Sequence, residues 1–205
     1  MAFPDYFDRI PTITLHDPLA ELLGAAEGGL IEYCFADAVK LTGHACPTVA
    51  GAWLMTVRGL QALYGEQTPE RGNISVALGE SVESGVAGVI ASVATLLTGA
   101  AGEGGFKGLA DQHVRRRLLT FGVNSVAGLS FTRRDTNATV DCQISLNLVS
   151  ADPRIGQLLG ALLHGTADAA SAQLFATLWQ DRVKRILLDH ASDPNLVQVT
   201  HRQPS

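Results

Sequence analysis

The order of predicted elements indicates an α+β protein, with a mixed or antiparallel sheet flanked by helices and a helical C-terminal segment. Two patterns predict this class. Residues 140–148 alternate between apolar and polar side chains, which is the period of a strand with one buried face. The residues after Pro47 instead carry apolar side chains at helical spacing. Along the chain, helices and a first strand precede several strands, and further helices follow.

The first half of the chain is predicted to be mainly helical. Asp17-Pro18 opens a helix that runs toward Ala26, and a second helix is predicted over residues 30–41. A third begins at Pro47 and ends near Gly65, where glycine can stop a helix. The predicted elements that follow are a strand at 74–78, a helix at 86–97 and a glycine-rich loop at 99–108.

The second half is predicted to hold a hairpin and then helices. Residues 126–133 are the expected partner of the strand at 140–148. Asp152-Pro153 starts a helix, and Gly165-Thr166 separates it from the next. We expect a single domain, residues 1–205, with an α+β core at 1–150 and a helical extension at 151–205. A short strand can form at 196–200 within that extension.

Composition disfavours two classes of partner. The 205 residues carry a formal net charge of −5, which argues against nucleic-acid binding. The dense basic cluster Arg115-Arg116-Arg117 is expected to lie on solvated surface rather than to form a phosphate site. No apolar run is long enough to cross a bilayer, and the first residues do not form a secretory signal, so no membrane insertion is expected. The three widely separated cysteines then favour a reduced, cytoplasmic setting.

The segment Gly43-His44-Ala45-Cys46-Pro47 is the strongest candidate site. Proline suits the first position of a helix, so Cys46 is predicted to lie at the helix N-terminus, where the macrodipole favours the thiolate. An imidazole and a thiolate two residues apart can both bind a metal ion. Zinc usually takes three or four protein ligands, so this pair needs further donors.

Several residues outside this segment could complete or replace the site. His113, which follows the glycine-rich loop, is the leading candidate for a third ligand, and Glu80 is another. Cys34 and Cys142 are expected to serve in packing. A purely structural role for His44 and Cys46, as a helix cap and a buried thiol, also stays open.

The chain resembles the FmdE family, which takes its name from a component of formylmethanofuran dehydrogenase. The resemblance starts from GHACP followed by the small-residue helix segment 50–53, and includes a strand ending in acidic residues, 74–83. The glycine-rich stretch 97–104 and the segment 178–187 are also similar. The resemblance implies an α+β fold with a mixed sheet, a homodimer, and a divalent metal ion, usually zinc, near His44 and Cys46.

The chain also departs from the pattern of this family. Ala100 stands where many relatives carry a cysteine in the glycine-rich loop. A retained metal ion would therefore depend on histidines, carboxylates or water, and a different ion, haem iron included, is possible. The resemblance by itself does not define a reaction.

Three functional hypotheses remain open from the sequence. The first is a metal- or cofactor-binding protein of redox or one-carbon metabolism, with the ion held by His44, Cys46 and His113 or Glu80. The second is an enzyme that uses Cys46 as a nucleophile activated by His44 and the helix terminus. The third is a structural subunit of a dimer with a degenerate site. Whether the protein is an enzyme is therefore left open here.

Overall fold

The computed structural model describes residues 3–202 and has the predicted α+β fold. Its strands are β1 (Ile13–His16), β2 (Leu30–Tyr33), β3 (Ile74–Leu78), β4 (Leu119–Thr120), β5 (Leu129–Arg133), β6 (Thr139–Ile144) and β7 (Val197–His201). Its α-helices are α1 (Pro18–Leu22), α2 (Phe35–Thr42), α3 (Pro47–Tyr64), α4 (Ala87–Thr98), α5 (Ile155–Leu163) and α6 (Ala169–Lys184).

The main sheet is mixed, as predicted. Its five strands lie in the order β4-β3-β5-β6-β7, and only the pairing of β3 with β4 is parallel. The predicted hairpin is the pair β5 and β6, in which Phe131 faces Val140. Strands β1 and β2 form a separate antiparallel pair.

Helix α3 packs directly across the main sheet and carries much of the core. Trp53 is almost fully buried, and Phe35 of α2 meets its ring edge-on. Gly59 allows this close approach, because a Cβ there would lie 2.7 Å from the Phe131 ring and 3.0 Å from Cys142 Sγ. The helical spacing after Pro47 therefore predicted the element that organises the core.

The C-terminal segment combines a helical hairpin with a strand of the main sheet. Helices α5 and α6 contact each other, and α6 continues into a π-helical turn, Arg185–Asp189. The chain then returns as β7, which pairs with β6. The extension predicted at 151–205 thus contributes to the core sheet. Within residues 3–202, no helix has both the length and the apolar character needed to span a membrane.

The secondary structure predicted at 30–41 and at 140–148 was wrong in part. The helix predicted at 30–41 begins only at Phe35, because residues 30–33 form β2 and pair with the unpredicted strand β1. The strand predicted at 140–148 ends at Ile144, and a 3₁₀ turn follows. Arg182 of α6 donates hydrogen bonds to the carbonyl oxygens of Leu146 and Val149, so side-chain donors replace a strand partner there.

Candidate functional site

The GHACP turn joins α2 to α3 and prepares Cys46 as a helix cap. Helix α2 ends at Gly43, which has the left-handed φ of 78° that glycine accepts easily. Cys46 is the N-cap of α3, and its Sγ accepts a hydrogen bond from the Val49 N–H at 3.4 Å. Pro47 occupies the first turn, as predicted. The sulfur therefore lies at the positive end of an 18-residue helix, and the residue is about 9% exposed.

His44 is exposed, and its ring is oriented by the backbone. Its Nδ1 lies 2.9 Å from the carbonyl oxygen of Thr42. Because a carbonyl can only accept a hydrogen bond, this contact assigns the proton of a neutral imidazole to Nδ1 and leaves a lone pair on Nε2. Histidines that bind metal ions usually make such a bond through the nitrogen that is not a ligand.

Helix α6 holds the turn from the opposite side. Trp179 Nε1 and Gln180 Nε2 both donate hydrogen bonds to the carbonyl oxygen of Ala45, at 3.0 and 3.2 Å. Tyr6 donates its hydroxyl proton to Gln180 Oε1 at 2.8 Å, and burial raises the pKa of this hydroxyl. Nothing in the sequence around GHACP predicted this support, because Trp179 lies 134 residues from Ala45.

The third predicted ligand, His113, lies beside an arginine-lined pocket. It borders a polar pocket with Glu70, Arg115 and Arg134, and neither His44 nor Cys46 lines that pocket. Within residues 3–202, no group of three or more His, Cys, Asp and Glu side chains could hold a metal ion. Glu80 borders another cavity, beside Met55 and Gln143.

The other two cysteines lie in contrasting places. Cys34 is the N-cap residue of α2, and its thiol donates a hydrogen bond to the Asp37 carboxylate at 3.4 Å. Cys142 is buried in β6, and burial raises the pKa of its thiol to about 12. Its place under α3 agrees with the packing role expected from the sequence.

A buried ion cluster lies beside the His113 pocket. Asp17 is 5% exposed and caps α1 through the N–H groups of Leu19 and Ala20. Its two carboxylate oxygens accept hydrogen bonds from Arg71 at 2.5 Å and from Arg115 at 2.6 Å. Burial alone would raise the pKa of Asp17, but the two guanidinium groups and the cap hold that pKa below its ordinary value.

Arg115 corrects the interpretation of the arginine cluster as solvated surface. Arg115 is 7% exposed, whereas Arg117 extends into solvent and pairs with Glu103. Three consecutive arginines thus have different environments, which their spacing alone does not reveal. The helix predicted to open at Asp17-Pro18 is present, but the ion pairs that Asp17 makes had no signal in the local sequence.

A comparison with known proteins found no matching family model and no matching curated protein sequence. The resemblance to FmdE therefore depends on the residues of this chain. The GHACP turn and the pocket beside Arg115 are both candidate binding sites.

Proposed function

We propose that this chain is an FmdE-like metal- or cofactor-binding protein of redox or one-carbon metabolism, with its ion held at the GHACP turn. The observation that supports this most directly is the His44 ring, whose Nδ1 is bonded to the Thr42 carbonyl. That bond leaves Nε2 to act as the ligand. Cys46 would supply its sulfur, which lies at the N-terminus of α3.

The donor set suits an open site better than a closed structural one. One imidazole and one thiolate are ligand types that zinc accepts, and two donors leave coordination positions for water or a small molecule. When bound, the ion would supply Lewis-acid polarisation of a ligand oxygen. His113 borders a different pocket, so the proposed site depends on His44 and Cys46 rather than on all three predicted ligands. Zinc is the expected ion, and haem iron is the alternative.

The test is metal content measured by elemental analysis on purified, tag-free protein. We expect His44→Ala and Cys46→Ala each to remove most of the bound metal while circular dichroism stays close to that of the wild type. His44 is exposed, and Cys46, although buried with the core, makes a single capping hydrogen bond at the start of α3, so the fold should survive either change.

Two matched controls come from the same chain. His164 is also exposed and also has Nδ1 near a backbone carbonyl, at 2.6 Å from Gly160 O. Cys34 is also an N-cap residue. His164→Ala and Cys34→Ala should keep the metal. Full retention of metal in both His44→Ala and Cys46→Ala would reject the site, and combined loss of metal and fold would make the ion structural.

A cysteine-dependent enzyme is the second candidate, favoured by the hydrogen bond that Cys46 Sγ accepts at the start of α3. In metal-free protein Cys46 should then be alkylated faster than Cys142, whose thiol has its pKa raised to about 12 by burial. Alkylation mapped by mass spectrometry across a pH series measures this. Faster labelling of Cys142 or Cys34 in the folded protein would contradict it, and protein unfolded in denaturant is the control.

The homodimer belongs to the same proposal and is supported by the hairpin of α5 and α6. Leu163 is 78% exposed. Other apolar side chains of this hairpin are only half-buried and lie outside the main core, namely Leu158, Leu159, Leu162, Leu174 and Leu178. A second copy could cover these side chains, and twofold dimers are the commonest soluble oligomers. Sedimentation equilibrium should find a dimer at micromolar concentration. A monomer there would overturn this part, whereas a dimer without metal would favour a structural subunit.

The proposed setting is cytoplasmic and the proposed ligand is a small molecule. All three cysteines are free thiols, which suits a reducing compartment. The net charge of −5 gives no general attraction to nucleic acid.

A further inference from the structure

A polar pocket of about 240 Å³ lies beside the buried ion cluster, on the side of the Gly99–Gly108 loop and the segment that follows it. It is separate from the GHACP turn. Polar and charged side chains border it, namely those of Glu70, Arg71, Asn73, Asp111, His113, Arg115 and Arg134. Its size suits a single charged group of a small metabolite rather than a whole cofactor.

Arg115 has a hydrogen-bonding group that no described residue uses. Its Nη2 donates to Asp17, but its Nη1 is buried and finds no acceptor among residues 3–202. Leaving a buried charged donor unpaired costs roughly 1–3 kcal/mol or more, so such a group calls for an explanation. An oxygen of a bound anion would be an acceptor of the right kind.

The main chain packs closely against this guanidinium group. Gly72 and Gly99 both have left-handed φ values, and a Cβ at either would collide with Arg115 Nη1, at 2.8 Å for Gly99 and closer still for Gly72. Two glycines therefore bring the main chain against the charged group. Any side chain at Gly72 would displace the arginine from its place.

The segment that covers Arg115 is strained. Between residues 110 and 117, left-handed φ values occur at four residues that are not glycine, namely Ala110, Asp111, His113 and Arg117. Each such residue costs free energy, and strain of this kind concentrates at ligand-binding loops.

We propose that this pocket binds a small oxyanion, the carboxylate or phosphate group of a metabolite, with Arg115 at its base and Arg134 and His113 as further donors. Arg134 donates one hydrogen bond to Gly72 O at 3.1 Å and reaches the pocket from its exposed side. Arginine suits this role because its planar group matches oxyanions. Glu70 and Asp111 also border the pocket, and their negative charges disfavour a larger polyanion.

The test is an amide ¹H–¹⁵N titration with inorganic phosphate and, separately, with acetate, at constant ionic strength. We expect saturable shifts that cluster at residues 70–73 and 110–116. Arg134→Gln and His113→Asn should each weaken binding at least about 10-fold, the effect of losing a charge-assisted hydrogen bond. Asparagine at position 113 keeps a residue that tolerates the left-handed backbone.

Arg154→Gln is the matched control, because it removes the same charge from an arginine that pairs with Asp152 and does not line the pocket. It should bind both probes like the wild type. Tighter binding of phosphate would identify a phosphoryl ligand, and tighter binding of acetate a carboxylate ligand; either supports the proposal. Absence of saturable shifts with both probes, or equal weakening in Arg134→Gln and Arg154→Gln, would overturn it.

Discussion

The GHACP turn and the ion cluster at Asp17 both place polar groups against the core, but they satisfy these groups differently. At the turn, the backbone and two side chains of α6 orient the loop, and the His44 ring extends into solvent. At the cluster, one carboxylate with 5% exposure binds two guanidinium groups from distant parts of the chain. The His44 ring at the turn is oriented by a hydrogen bond and is accessible to solvent, whereas the charged groups of the cluster are paired with one another and largely shielded from solvent.

Because of this difference, the turn is suited to ligand binding and the cluster to stabilising the fold. An accessible donor held in one orientation can exchange solvent for a ligand at little cost to the fold. A buried charge that loses its partner leaves an uncompensated charge in the interior. We therefore expect changes at the turn to alter ligand content and changes at the cluster to alter the free energy of unfolding.

The largest expected effect is that of Asp17→Ala. It leaves the buried Arg115 and the half-buried Arg71 without their shared anion, and breaking a buried pair in this way costs about 3–5 kcal/mol of the free energy of unfolding. Urea denaturation measures the loss. Asp17→Asn is the companion variant, because it removes the charge and keeps an oxygen to cap α1. An effect below about 1 kcal/mol in both variants would show that the cluster is not stabilising.

The same carboxylate predicts a dependence on pH. Because the folded pKa of Asp17 lies below its ordinary value, its contribution to stability is present above the unfolded pKa of about 3.9. That contribution is lost as pH falls through the folded value. Between pH 6 and pH 3, which span that pKa of about 3.9, the wild type should therefore lose more of its free energy of unfolding than the Asp17→Asn variant. Urea denaturation at each pH measures this loss. Parallel curves for the two proteins would contradict this.

An intermediate effect is expected for Trp179→Phe, which tests the support of the turn. The change removes the N–H that donates to Ala45 O and keeps an aromatic ring. If the proposed metal site exists, its affinity should fall about 10-fold, as for other residues that orient a ligand, and the helix should remain. Competition with a chelator measures the affinity. Thr177→Ala, on the same helix, is the control and should bind metal normally.

The smallest effect is expected for Arg117→Gln. Arg117 lies two residues from Arg115, but its pair with Glu103 is largely exposed, and such pairs contribute roughly 0–1 kcal/mol. Urea denaturation of this variant should therefore nearly match that of the wild type. A loss comparable to that of Asp17→Ala would mean that burial is not what distinguishes the two arginines.

The sequence predicted elements well where local signals agree. The start of α1 at Asp17-Pro18, the start of α3 at Pro47 and the β5–β6 hairpin each depend on residues a few positions apart. The pair of β1 and β2 was missed, because its strands have four residues each and are stabilised by each other rather than by a long periodic pattern. For the candidate site, the motif located the turn and the capping thiol, while the placement of His113 depended on a loop without periodic structure.

Local sequence patterns were enough to predict the α+β class, the helix that crosses the sheet, and the position of Cys46 at a helix start. Only the tertiary structure decided which arginine of Arg115-Arg116-Arg117 is buried, that α6 supports Ala45, and that His113 borders an arginine-lined pocket. The two groups of features differ in the sequence separation of the residues that interact. Caps and amphipathic periods act within a few residues, whereas the pairs Asp17–Arg115 and Ala45–Trp179 join residues 98 and 134 positions apart, which only the packed fold brings together.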